Sequence, residues 1–391
     1  MNNLDQIFVL TQHWLAALAP GPIQSLVSML LAIAGLMAVF GSCFALTTIL
    51  ERKILGRMQN RFGPNRVGPF GLLQPLADGI KMLTKEDIVP YSADQALHFL
   101  APLALTIPVW LAFAVLPFGR NMNAIELDCG ILFFFAIGSA SELAVFMAGW
   151  SSQNKYSLLG AMRAIAQMLS YEVPLVLASV PALMAAGSLS LPDVVQSQSG
   201  YALGLVPRWN VFTPWGLAAF ILFLIAAAAE SNRCPFDLPE GESELIAGFL
   251  TEYSGFKYAL FFLGEYFGLF AVTGLAVTLF LGGWQAPAKW LEWLPSWGWF
   301  AAKFSALILL FIWARATLPR LRFDQLLNFA WKFLLPLALI NVLVAALWWK
   351  LPAAMEIRWL LCAVLLAVPY AWLGRSWRGA IPEQRQYHYV E

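Results

Sequence analysis

Charge is what this sequence has least of. Of its 391 residues only 12% are Asp, Glu, Lys or Arg, divided into 24 basic and 23 acidic for a net +1, while 60% are hydrophobic. A soluble globular domain carries roughly 25% charged residues. A secreted or cytosolic globule is therefore excluded, and so is a disordered chain, which needs low hydrophobicity. The near-balance of signs also removes the basic face that nucleic acid demands of a partner. Histidine is scarce: His13, His98 and His388 are too few and too scattered to ligate haem. Cys43, Cys129, Cys234 and Cys362 stand alone. They form no C-x-x-C pair for zinc or an iron–sulfur cluster, and they read as packing residues. No glycine-rich dinucleotide fingerprint and no Walker lysine motif occur. The start, Met1 to Gln6, lacks the basic flank of a signal peptide. What remains is an integral membrane protein whose redox centres, if it serves any, lie in other chains.

What is present is long apolar segments. A helix needs about 20 apolar residues to cross a bilayer, and the segments about 23–50, 97–117, 127–149, 163–187, 214–231, 259–282, 298–315 and 333–349 give eight core spans. A ninth, C-terminal span is read at 357–374. No strand ladder is visible, so the expected fold is all-α: a polytopic transmembrane helix bundle in one domain, 1–391, with amphipathic interfacial helices in its cytoplasmic loops. Basic residues set the orientation. The segments 51–90, 150–163, 232–258, 315–332 and the tail collect 18 Lys and Arg, against 6 on the opposite side. That places the N-terminus outside (periplasmic) and, with nine spans, the C-terminus in the cytoplasm. Trp284, Trp290, Trp293, Trp297 and Trp299 cluster between spans six and seven, on the side opposite the basic loops. There they read as an interfacial aromatic belt rather than a stacking site.

The scarce charges are concentrated. Residues 51–94 hold 12 of the 47, among them Glu51, Arg52, Lys53, Arg57, Arg61, Arg66, Asp78, Lys81 and Lys85. The Gly63-Pro64-Asn65-Arg66-Val67-Gly68-Pro69 run predicts a rigid turn. Leu72, Leu73, Leu76, Ile80 and Leu83 then recur at helical spacing, which predicts an amphipathic helix at the interface. A second concentration, 230–265, carries seven acids against two bases. Glu240, Glu242 and Glu244 alternate there, and Leu245, Ile246, Phe249, Leu250 and Tyr253 predict a following helix held against the membrane core. Crowded, partly buried carboxylates are the kind that exchange protons near neutral pH. Finally, Glu142, Glu172, Glu230 and Glu265 fall inside or at the ends of spans three to six. An ionised acid at mid-bilayer costs on the order of 2.5–3.5 kcal/mol, so four of them on consecutive spans read as a proton relay.

These stretches resemble one family: the quinone-site membrane subunit of respiratory complex I, the bacterial NADH:quinone oxidoreductase. The matching segments are Glu51-Arg52-Lys53, Gly63-Pro64-Asn65, Val67-Gly68-Pro69 and Gly71 through Asp78. They continue with Trp150-Ser151-Ser152, Lys155-Tyr156, Arg163-Ala164, Gln167, Ser170-Tyr171-Glu172 and Ala229 through Leu245. Glu252-Tyr253, Glu265-Tyr266 and Trp313…Arg315…Pro319-Arg320…Arg322-Asp324-Gln325 complete the set, over about residues 25–350. Ser231 and Cys234 depart mildly from the family pattern, and the extension 351–391 lies outside it.

The resemblance implies a subunit of an energy-converting oxidoreductase that binds no prosthetic group of its own and forms the membrane side of a quinone chamber. Ubiquinone or menaquinone would be the substrate, with FMN and iron–sulfur clusters in partner subunits. Those partners would be the hydrophilic iron–sulfur and quinone-site subunits and the small subunits of the membrane arm, all at the bacterial inner membrane. Arg52, Arg57, Arg61, Asp78 and Lys81 match the chamber and its entrance. Glu142, Glu172, Glu230, Asp237, Glu240, Glu242, Glu244, Glu252 and Glu265 match proton-coupling positions. Arg163, Arg233, Arg315, Arg320 and Arg322 match their basic partners. Three other readings stay open: the homologous subunit of an ion-pumping membrane-bound hydrogenase or formate hydrogenlyase-type complex, a free-standing secondary transporter, and a passive anchor for a hydrophilic arm. The transporter would be expected to show inverted repeats, which the sequence lacks.

Overall fold

Helix dominates the computed structural model of the chain, which describes residues 5–202, 206–233, 235–237, 247–352 and 354–378. In order these are α1 (Ile7–Ala17), α2 (Gln24–Met58), α3 (Gln74–Thr84), α4 (Gln95–Val115), α5 (Gly130–Gly138), α6 (Ala140–Ser151) and α7 (Lys155–Ala186). There follow α8 (Leu191–Ser197), α9 (Pro214–Glu230), α10 (Gly255–Phe280), α11 (Ser296–Thr317), α12 (Phe323–Phe329), α13 (Leu335–Lys350) and α14 (Met355–Arg378). The sole pairing of strands among the described residues is a two-residue antiparallel bridge, Tyr201–Ala202 with Val206–Pro207. Every expected span has its helix. Eight are long and apolar enough to cross a membrane, and α9, at 17 residues, is the shorter ninth.

Local chemistry explains the irregularities. Span three divides at Ser139 because two serines turn back on the helix: Ser139 Oγ donates to Ala136 O at 3.0 Å and Ser141 Oγ to Gly138 O at 2.7 Å. Such back-bonding beside a glycine loosens the helical ladder. Span eight is α12 and α13 joined by a π-helical turn, Ala330–Leu334. The expected helix after residue 245 is a correction. Its described part is a 3₁₀ turn, Gly248–Leu250, because Gly248 takes a positive φ of 53° that an α-helix cannot hold. Phe249, Leu250 and Tyr253 are nonetheless buried, as their spacing predicted.

The core lies where α7, α9 and α10 pack. In α9, Ala226, Ala227, Ala228 and Ala229 are all buried, and small residues let neighbouring helix backbones approach closely within a membrane. The two ends of the chain are peripheral: only 6% of the apolar window is buried in α2 and again in α14. Two sequence expectations change here. Cys129 is exposed rather than packed, while Cys43 is half-buried, Cys362 buried and Cys234 outside the described residues. Lys303, one of the six basic residues assigned by sequence to the outer side, is buried inside α11. Its ammonium donates to the carbonyls of Leu281, Gly283 and Gln285 at 2.7, 2.9 and 2.7 Å, and lies 4.0 Å from the Trp209 ring centroid. It thereby satisfies backbone acceptors just past the C-terminus of α10.

Candidate functional site

The basic end of the bundle begins with a network at the surface. Arg52, on the last turns of α2, donates to Asp78 on α3 at 2.7 Å, and Lys81 and Gln74 reach the other Asp78 oxygen at 3.3 Å each. Burial pushes the Asp78 carboxyl up, but the Arg52 hydrogen bond and charge outweigh it, and the carboxyl is held below the usual aspartate range. The amphipathic helix α3 is present as predicted, its Leu76, Ile80 and Leu83 exposed. Arg57 and Arg61 do not join this network. Arg57 lies over the Phe62 ring, 5.1 Å from its centroid, and Arg61 donates to Gln59 at 2.8 Å.

On the buried side of the same helical turn, four elements meet on a single carboxylate. Glu51 of α2 is 5% exposed. It accepts from Arg233, just past α9, at 3.3 Å, from Tyr266 of α10 at 2.6 Å, and from Arg315 of α11. The Arg233 guanidinium also lies over the Tyr266 ring, 3.8 Å from its centroid. A buried carboxylate needs this much: two cations and a phenol donor satisfy both oxygens and neutralise the charge. Gln167 of α7 ties the segment leading away from Arg233, donating to Ala229 O and Phe236 O at 2.7 Å and to Asn232 at 3.2 Å. Beyond it the buried Asp237 accepts from Arg320 at 3.0 Å.

Further into the bundle the partners change sign. The Glu142 and Glu172 carboxyls interact with each other, and the charges of both act on Glu230. Glu230 Oε2 is buried and takes no hydrogen bond among the described residues. Glu230 and Glu265 line one pocket of about 70 Å³, walled by α4, α5, α6, α7 and α10, and Glu265 also acts electrostatically on Arg233. A water needs roughly 10–15 Å³ of such space, so the pocket has room for a few.

The structure thus gathers Arg52, Asp78 and Lys81 in one place, Arg233 and Arg315 in a second, and Glu142, Glu172, Glu230 and Glu265 in a third. Glu252 stands apart, accepting from Asn154 at 2.7 Å beside Tyr253, whose phenol burial pushes up to about 12. Arg163 lies 5.9 Å from the Phe323 ring centroid, and the Arg322 backbone is capped by Gln325 at 3.3 Å. Glu240, Glu242 and Glu244 lie outside the described residues. Sequence reasoning missed Glu51 as the hub and Tyr266 and Gln167 as its supports. An acid heading a run of bases at the end of a span was the one available signal. Its partners are 182, 215 and 264 residues away.

Comparison with known proteins bears on this geometry. A family model described as NADH dehydrogenase matches residues 31–346. The NADH-quinone oxidoreductase H subunit of Dehalococcoides mccartyi is 53% identical over 297 residues, covering 76% of this chain and 80% of that protein. One of the H subunits of Geobacter metallireducens is 51% identical over 303 residues, 75% of this chain and 88% of its own. The H subunit of a Polaromonas species is 42% identical over 356 residues, 89% and 98% of the two chains. The matched region contains every charged cluster described above, from Glu51 to Arg322, so the chain belongs to the H-subunit family of NADH-quinone oxidoreductases and is a multi-pass membrane component of that complex.

Proposed function

We propose that the basic end of this bundle forms the membrane side of a quinone chamber and that the buried carboxylates behind it link quinone reduction to proton translocation. The observation that carries the reading is the change of partner along the line of acids within the bundle. Glu51 is held by arginines, whereas Glu142 and Glu172 act on each other and on Glu230. Reducing a quinone to quinol consumes two electrons and two protons. Electrons would come from an iron–sulfur cluster in a hydrophilic partner whose own supply is FMN. The chain's own part is electrostatic. Arg52, Asp78 and Lys81, with Arg57 and Arg61 nearby, border the entrance. Arg233 and Arg315 on Glu51, and Arg320 on Asp237, fix the segment after α9. Glu142, Glu172, Glu230 and Glu265 pass the charge change inward, since acids placed within the bundle interact strongly where no bulk water screens them.

The acidic run Glu240, Glu242 and Glu244, with Glu252, Arg163 and Arg322, belongs to the same reading by family position. So do the single domain, the inner-membrane location, the periplasmic N-terminus and the cytoplasmic C-terminus. The relatives' names favour the quinone branch over the hydrogenase-type complex. Glu172→Gln and Glu230→Gln in the intact complex test the proposal in sealed vesicles. The expected result is a several-fold loss of proton translocation driven by quinone reduction, with NADH–ferricyanide activity retained. Translocation per quinol equal to the unmodified complex would reduce the chain to a passive anchor.

A further inference from the structure

The end of the bundle opposite Glu51 holds a cavity with acidic walls. Helix α11 runs from Ser296 at the cavity to Arg315 at the hub, roughly 30 Å at about 1.5 Å per residue. The cavity measures about 930 Å³ and lies between the start of α11, the turn after α10, α8 and the segment before α5. Small-molecule sites occupy roughly 300–1,000 Å³. Five carboxylates line it, Asp5, Glu126, Asp128, Asp193 and Glu292, against one base, Arg120. None of these six forms an ion pair among the described residues.

Surface acids are ordinarily just solvated, and one of these is not. Asp5 is 8% exposed. Its Oδ1 accepts from the Ser296 N–H at 2.7 Å and from the Ser296 hydroxyl. Its Oδ2 takes no hydrogen bond among the described residues. A carboxylate so far removed from water calls for a cation. The wall beside it is fixed from behind. Lys303 holds the carbonyls of Leu281, Gly283 and Gln285. The Gln285 amide donates to Val195 O at 2.5 Å, and the Tyr201 hydroxyl donates to Ala286 O at 3.4 Å. Trp284, Trp299 and Tyr201 add aromatic surface to the lining. A site braced in this way binds without first being ordered.

We propose that this cavity binds a primary organic ammonium, its amine nitrogen on the carboxylates and its carbon chain against the aromatic residues. Aromatic surface favours organic cations. A compact metal ion needs several oxygens at one point, and among the described residues no three His, Cys, Asp or Glu side chains gather in that way. Acids spread around a wide space instead suit an extended ligand. Two sources carry this chemistry: a free linear polyamine, and the ethanolamine headgroup of a lipid in the adjoining leaflet.

Carbodiimide trapping on the assembled complex tests the site, because the reagent converts a carboxylate and an amine held against it into an amide. Labelled spermidine is the free probe, with the complex in phosphatidylcholine nanodiscs that offer no primary amine. Discs containing phosphatidylethanolamine supply the headgroup. Glu356, exposed and outside the cavity, is the control. Spermidine is expected to label Asp128 or Glu292 at concentrations at least ten-fold below those that label Glu356. Cavity labelling by phosphatidylethanolamine alone would uphold the ammonium site and assign it to lipid. Cavity and control labelled alike by spermidine with no headgroup labelling, or no cavity labelling from either source, would overturn it. A second measurement uses Asp128→Asn with Glu292→Gln, assembly being checked by retained NADH–quinone activity. Retention of whichever amine labels the cavity, followed by equilibrium dialysis or lipid mass spectrometry, is expected to weaken at least ten-fold. Unchanged retention in the assembled variant would also overturn the proposal.

Discussion

Two groups of acids lie in the same bundle within a few helical turns, and they are treated in opposite ways. Around Glu51 every acid oxygen has a donor, and Arg233 and Arg315 exceed it in charge. Around Glu142, Glu172 and Glu230 the neighbours that matter are other acids, and Glu230 Oε2 has no donor among the described residues. The first arrangement fixes a charge and ties four elements together. The second sets like charges beside one another. A buried acid alone therefore says little about function; the sign of what faces it says more.

The comparison breaks most visibly at the hub. Removing one member of a buried ion pair typically costs about 3–5 kcal/mol, and both the Glu51 and Arg233 side chains are nearly inaccessible. Glu51→Gln is expected to destabilise on that scale, seen as a lowered melting temperature in detergent and reduced abundance in membranes. A double change to apolar residues, Glu51→Leu with Arg233→Met, recovers part of the loss. Glu142→Gln and Glu172→Gln should behave differently: a stability change of less than about 1 kcal/mol, since no ion pair is broken and the amide can still hydrogen-bond, but several-fold slower proton translocation. If these glutamines destabilise as much as Glu51→Gln, the two groups are not different in kind.

The smallest effect belongs to Asp78. Its bridge to Arg52 is partly exposed, so Asp78→Asn should cost no more than about 1 kcal/mol. Because the folded-state carboxyl titrates below its ordinary value, the bridge contributes fully above about pH 4, the unfolded range. It is lost as pH falls through the depressed native value. Thermal scans of the unmodified protein and Asp78→Asn should run parallel from pH 5 to 8 and converge below pH 4.

The spans were legible because bilayer thickness imposes a length that no other constraint obscures, and α3 because Leu76, Ile80 and Leu83 repeat on one face. The break at Ser139 was not, since serine back-bonding is one of several things a serine does within a helix. Glu142, Glu172 and Glu230 could be named from their cost in a membrane. That they act on one another, while Glu252 turns aside to Asn154, depends on helix rotation, which a uniformly apolar helix does not encode. Glu51 was invisible as a hub for a simpler reason: it reads as one more charge in a charged loop until α9, α10 and α11 arrive around it.

Lys303 carries a consequence for how the chain enters the membrane. A lysine in mid-helix costs on the order of 2.5–3.5 kcal/mol on insertion scales, and in the folded protein that cost is offset by carbonyls supplied by the turn after α10. α11 is therefore more easily accommodated as the second arm of a hairpin than alone. The chain that must insert α11 has already made its partner, because α10 and the three acceptor residues precede it in synthesis.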